Sequence, residues 1–211
     1  MSTRTPITGE IETNIAARQA HVVGSGPRIV ALANEEVDQE SRDLINAVRA
    51  GAGAGPAVIV PEYMRIVIKH PELFRAQMNM GQMFYNGRLP RRERELAILR
   101  VAWLTQSPYE WGEHVDIGQR CGLTAEEVER VIHGSAAPGW SEFDRAVLRS
   151  VEELLADYAI SDATWEVLAG TWDEAQLLEY PSMIGQYVTI AFLQNSIRVP
   201  LAEDNPGMSH R

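Results

Sequence analysis

The chain has 211 residues, a formal net charge of −10 and 45% hydrophobic residues. That apolar content supports a sizeable core and argues against global disorder, within one domain or two small helical halves. The acidic balance disfavours nucleic acid and anionic membranes as partners, and the single cysteine, Cys121, excludes an internal disulfide and a cysteine-based metal site.

In chain order, residues 1–28 read as an N-terminal arm, with a short helix conceivable over Glu10–Ala20. Glu35–Ala50 has helical spacing through Val37, Leu44, Ile45 and Val48, and AGAGAGP over 50–56 is a break. Those glycines lack the order of a phosphate-binding loop. Val60–Lys69 and Pro71–Tyr85 read as helices parted at His70-Pro71, since proline pushes the preceding residue out of the helical region. Phe74, Met78, Met80, Met83 and Phe84 on the second suit core or subunit contact.

The central stretch is LPRRERELAILRVAWLTQSPYEWGEHVDIGQRCGLTAEEVERV, residues 89–131. Pro90 suits the first turn of a helix. Glu95, Ile98, Leu99 and Ala102 recur at i, i+3, i+4 and i+7, so Glu95 sits in an apolar stripe facing the core. Gln106, Ser107 and Pro108 break the pattern and start a second helix, on which Ser107, Glu110, His114 and Gly118 share one side. Two helices joined so tightly pack against each other, which can bring Glu95 near Glu110 and His114. Two carboxylates and an imidazole around one semi-buried point can perform acid–base chemistry. The plainer alternative is an exposed Glu110/His114 pair worth roughly 0.2–0.5 kcal/mol, with Glu95 paired to Arg91 or Arg94. The acidic break in an apolar stripe favours the functional reading, because a lone buried charge is costly. Metal ligation by the same three residues is a weaker reading, as His21, His70, His133 and His210 are scattered.

Beyond the pair, Gly122 suits a left-handed cap after Cys121, and Thr124 with Glu127 forms a capping box. Cys121, seven residues beyond His114 on the same face, reads as a small structural residue rather than a reactive thiol. A faint echo of 94–100 recurs over 143–149, with Asp144 in the place of Glu95 and Ser141 as a cap. Asp144 reads as part of that cap rather than as a catalytic acid. Ser161 and Thr171 read as further helix starts, with Thr171 and Glu174 as another capping box, and Trp165 and Trp172 as packing residues. Residues 179–197 form a helix apolar nearly all round in its latter half, interrupted by Gln186, Gln194 and Asn195, whose amides need partners. The last eleven residues read as a loose tail.

Residues 92–128, RERELAILRVAWLTQSPYEWGEHVDIGQRCGLTAEEV, resemble the carboxymuconolactone decarboxylase family, which includes the AhpD-type alkylhydroperoxidases. The likeness is strong over 90–131 and weaker over 61–200. The peroxidase branch carries a Glu followed by Cys-x-x-Cys-x-x-x-His. Glu95 and His114 match the Glu and the His, while Ser107 and Glu110 occupy the two cysteine positions. Neither can form a disulfide or attack a peroxide as a thiolate does. The resemblance therefore implies the all-α AhpD-like helical bundle over 29–200, between the arm at 1–28 and a tail at 201–211. It also implies assembly as a trimer or hexamer.

The resulting expectation is a cofactor-independent enzyme of the decarboxylase, isomerase or hydratase kind, acting on a small organic acid or lactone without a metal. Glu95, Glu110 and His114 would be catalytic. Ser107, Tyr109 and Trp111 would contact the substrate, and Arg100 or Arg198 could hold a carboxylate. A single-cysteine peroxide-reducing protein using Cys121 and a non-catalytic oligomeric binding module are the alternatives. No apolar run approaches the ~20 residues needed to span a bilayer, and the first residues lack the apolar core of a signal peptide, so a cytoplasmic location is expected.

Overall fold

A computed structural model describes residues 14–211, and among these it contains ten α-helices, three short 3-10 turns and no strand. The helices are α1 (Ile15–Val23), α2 (Gln39–Gly51), α3 (Glu62–Val67), α4 (Pro71–Tyr85), α5 (Arg91–Leu104), α6 (Pro108–Arg120), α7 (Ala125–Ile132), α8 (Glu142–Asp157), α9 (Asp162–Ala169) and α10 (Glu174–Ile197). Their starts follow local chemistry. Asp38, Thr124, Ser141, Ser161 and Asp173 each accept a first-turn backbone N–H through a side-chain oxygen. Pro71 and Pro108 sit in the first turns of α4 and α6, where a missing N–H costs nothing.

Most expected elements form. The Thr124–Glu127 capping box is present, and Gly122 takes a positive φ of 103° after Cys121. Asp144 belongs to the start of α8, where its backbone N–H meets Ser141 Oγ and its carboxylate accepts from Arg92 at 2.6 Å. Two local expectations need correction. The last long helix is capped by Asp173 with Gln176, not by Thr171 with Glu174, since an aspartate two residues later offers the same acceptor one helical start further on. Trp172 packs in the core, whereas Trp165 stays 41% exposed. The short arm helix is Ile15–Val23, capped by Asn14, while residues 1–13 of the expected arm lie outside the described part.

Two apolar clusters build the molecule. The larger gathers α5 to α10, and the smaller gathers α2, α3 and α4 with Tyr109 and Val199. Helix α5 is the axle of the larger one. Every residue from Arg94 to Trp103 is buried, so α5 is enclosed on all sides rather than along one stripe. The 201–211 tail is not loose. Asn205 and Met208 are buried, and the 3-10 turn Gly207–Ser209 packs against α6 and α1. Asn205 donates to the Tyr109 carbonyl, and the indole N–H of Trp111 donates to the carbonyl of His210. A tail too short and polar to advertise a core role is held by these contacts, each with a residue some hundred positions away.

Candidate functional site

Helices α5 and α6 meet through a close crossing at Gly118, where an added methyl would lie 3.4 Å from Leu99 Cδ1 and 3.7 Å from Glu95 Cβ. This crossing lets the Glu95 side chain reach α6. Its Oε2 lies 2.8 Å from His114 Nδ1, and its Oε1 accepts from Arg94 Nε, also at 2.8 Å. All three side chains are buried. Burial opposes the Arg94 charge, but the adjacent Glu95 carboxylate more than offsets this and holds the guanidinium protonated. Arg94 is also fixed by the Tyr85 carbonyl and lies over the Tyr85 ring, 4.3 Å from its centre. The His114 ring stands edge-on to Tyr187, whose hydroxyl donates to that of Tyr85 at 3.2 Å. Burial pushes both phenols well above their ordinary range, so both stay neutral.

His114 and Glu110, one turn apart on α6, line a cavity of about 530 Å³ between the α2–α4 segment and α6 with α10. Glu110 is 1% exposed, and neither of its carboxyl oxygens has a hydrogen-bond partner. It does not form the ordinary surface pair with His114. Burial pushes its pKa well above the usual carboxyl range, which favours the protonated form. Tyr63, Gln77, Tyr85, Tyr109 and Tyr187 complete the inner wall.

The three proposed acid–base groups thus fall in one place, Glu95 behind His114 and Glu110 beside it. The substrate-contact expectations divide. Tyr109 lines the cavity, but Ser107 and Trp111 do not. Ser107 is wholly buried and donates to Gln194 Oε1 at 2.9 Å, and Trp111 stacks edge-on to Trp103 in the core. Ser107, on the Glu110 side at the start of α6, is covered by Gln194 of α10, which itself lines the cavity, whereas Trp111 lies on another side of the helix in the larger core. Arg100 is committed to Glu152 and the carbonyls of Val131 and Ile132, and Arg198 closes α10 beside Gly24. Neither reaches the cavity, whose cations are Arg49 and Arg120. Cys121 is outside the lining too. Its Sγ is 3.9 Å from Arg94 Nη2, yet burial pushes its thiol upward, away from the reactive thiolate. Both Glu95 oxygens are engaged, and among the described residues no three His, Cys, Asp or Glu side chains are grouped as a metal ion would need.

The sequence offered Arg94 as a partner of Glu95, and the structure forms that pair; it also named Tyr109, but it missed Gln77, Tyr63, Tyr85 and Tyr187. Arg94 was visible as a second charge beside Glu95 in the same apolar helix. Gln77 was visible as a polar residue inside the Met-rich α4.

Residues 71–153 match the model of the carboxymuconolactone decarboxylase family. No curated protein sequence matches the chain. Several solved structures share the fold. The debrominase Bmp8 superposes with a TM-score of 0.68 at 14% identity, over 84% of this chain and 93% of that one. An uncharacterized peroxidase-related protein with an alkylhydroperoxidase AhpD core, from Ralstonia eutropha JMP134, gives 0.68 at 18% identity, over 84% and 93%. An uncharacterized peroxidase-related protein from Silicibacter sp. TM1040 gives 0.66 at 16%, over 83% and 93%. At these identities the likeness establishes the fold alone. Among the described residues no helix is long and apolar enough to cross a membrane. The 71–153 segment, which holds Glu95, Glu110 and His114, is thus similar to the carboxymuconolactone decarboxylase family, and the chain has an AhpD-like all-helical fold.

Proposed function

We propose that this protein is a cofactor-independent acid–base enzyme that moves a proton at a carbon next to a carbonyl. Decarboxylation, isomerisation or hydration of a small lactone or organic acid all fall in that class. The observation that carries this reading is the 2.8 Å contact between Glu95 and His114 Nδ1, with His114 at the wall of a cavity. The carboxylate accepts the Nδ1 proton and fixes the tautomer, which leaves Nε2 as the nitrogen that exchanges a proton with substrate. Glu95 is a positioning residue. Glu110, neutral and without a partner, donates a hydrogen bond to the oxygen on which charge develops. The same reading carries a homo-oligomer, since Met80 and Met83 on α4 and Leu178 and Phe192 on α10 are exposed. Sedimentation of the purified protein measures it.

A screen of lactones and small carboxylic acids identifies a turnover assay. In it, His114→Ala is expected to lower kcat by about 100- to 10,000-fold, the range of a lost general acid–base group. If His114→Ala and Glu95→Gln turned over substrate as fast as the unaltered protein, the reading would be rejected.

A further inference from the structure

Cations are outnumbered in this chain, 19 Lys and Arg against 29 Asp and Glu. Where arginines are enclosed by the helical body, carboxylates meet them: Arg92 with Asp144, Arg94 with Glu95 and Arg100 with Glu152, at 2.6 to 2.9 Å. One group of cations departs from this pattern. Arg18 and His21 on α1, Arg28 beyond it and Arg198 at the end of α10 line a second hollow of about 240 Å³, together with Val22, Asn195 and Ser196. No carboxylate side chain lines it, and among the described residues none of these three arginines pairs with one. Burial lowers the pKa of Arg18 with no acid to offset it, whereas Glu95 raises that of Arg94. His21 and Arg28 are exposed and Arg18 and Arg198 partly so, which leaves the cations within reach of solvent ions.

Backbone contacts gather the group. The Arg28 N–H donates to the Ile197 carbonyl at 2.9 Å, and its Nη1 donates to the Ser196 carbonyl at 3.0 Å. Arg18 Nε donates to the Gln106 carbonyl at 3.2 Å, and its Nη2 to that of Thr105 at 3.5 Å. Arg198 closes α10 in the left-handed region with its guanidinium against Gly24, where an added methyl would lie 2.7 Å from its Cζ.

The plainer reading is that these arginines only cap the carbonyl ends of α5 and α10. Charge separates the two readings. Each helix C-terminus carries about half a negative charge, so the two ends supply about one. Three guanidiniums therefore keep about two positive charges unmet. Donors are in surplus too, since the carbonyls engage two nitrogens of Arg18 and one of Arg28. A phosphate group supplies about two negative charges, and its oxygens match the planar guanidinium fork. The hollow is smaller than the roughly 300–1,000 Å³ of pockets for drug-sized ligands, so it suits a small ion or a monoester head rather than a nucleotide.

We propose that Arg18, Arg28 and Arg198, with His21, form a binding site for a small phosphate-class dianion, either the free ion or the head of a phosphate monoester. The site shares no lining residue with the cavity that His114 lines, and it does not rest on the acid–base reading.

Calorimetric titration of the full chain at pH 7 tests it, with inorganic phosphate, glycerol 3-phosphate and acetate as probes and chloride holding the ionic strength constant. Phosphate is expected to bind at least about tenfold more tightly than acetate. Tighter binding of glycerol 3-phosphate than of phosphate assigns the site to an ester, and the reverse order assigns it to the free ion. Arg28→Glu reverses an exposed charge and is expected to weaken phosphate at least about tenfold, and Arg18→Gln about three- to tenfold. Arg28→Lys should keep most of the affinity, and Glu95→Gln, outside the hollow, all of it. Because Arg28 is exposed, its variants test the site even if Arg18→Gln fails to fold. No measurable phosphate binding at millimolar concentration, acetate binding as tightly as phosphate, or an Arg28→Glu protein that binds phosphate as the parent does would each overturn the proposal.

Discussion

Glu95 on α5 and Glu110 on α6 hold the same buried chemical group in opposite states. On the α5 side Glu95 is buried with both oxygens engaged, one by Arg94 and one by His114. On α6 Glu110 is as deeply buried with neither oxygen engaged. A buried carboxylate persists only when paired, and an unpaired one keeps its proton instead. Glu95 is therefore part of a finished scaffold that aims an imidazole. Glu110 is left without any hydrogen-bond partner in the protein. Burial alone separates neither; the difference lies in what surrounds each group.

This contrast can be broken at several points. The largest effect is expected at Glu95→Ala, which strands the Arg94 charge and releases His114. Urea unfolding should report a loss of about 3–5 kcal/mol, the cost of breaking a buried ion pair from one side. An Arg94→Met, Glu95→Ala double variant should recover much of it. A loss under about 1 kcal/mol would mean that the scaffold wall is not built on this pair.

Gly112→Ala comes next. A methyl there would overlap the Asn205 side chain, which anchors the tail against α6 through the Tyr109 carbonyl. A loss of about 1–3 kcal/mol is expected from such overpacking. Reduced protection of the 201–211 amides in hydrogen exchange should accompany it.

Glu110→Gln is expected to change the pH dependence of stability, and its sign differs from the usual carboxylate. The folded protein binds this proton more tightly than the unfolded chain does. The unaltered protein should therefore lose stability as pH rises above about 4.5, the ordinary value, toward the raised value in the fold. Each unit of separation is worth about 1.4 kcal/mol. Glu110→Gln removes that loss, so its midpoint in thermal melts should exceed the parent's at pH 8 and converge with it near pH 4. A variant curve parallel to the parent's would show Glu110 ionised and solvated.

The smallest effect is expected at Cys121→Ser, a half-buried thiol outside the cavity. Stability should move within about 0.5 kcal/mol, and turnover should not change. Peroxide consumption lost in this variant would instead support the single-cysteine redox reading.

Much of this site was legible in the sequence, for local reasons. Glu95 stood out because a charge interrupted apolar spacing, and Glu110 and His114 because i and i+4 share a helix face. Ser107 and Trp111 were misplaced because helical spacing tells which residues are neighbours, not which side of a fully enclosed helix pair opens onto a void. Arg94 was named only as the plainer alternative, a partner for Glu95, because α5 was read as one apolar stripe, whereas it is buried all round. Gln77 and Tyr187 were out of reach for a different reason, since each meets α6 from a helix far away along the chain.

What the sequence alone determined is the set of helices and most of their ends, because caps, prolines and 3.6-residue periodicity act within one turn of the chain. It also determined that an acid, a histidine and a second acid would share two adjoining helices. Only the tertiary structure decided which acid is satisfied and which is not, that the tail is part of the core, and where the cavity opens. Those outcomes depend on hydrogen-bond partners and excluded volume supplied by α4, α10 and residues 201–211, and no local pattern records which distant surfaces will meet.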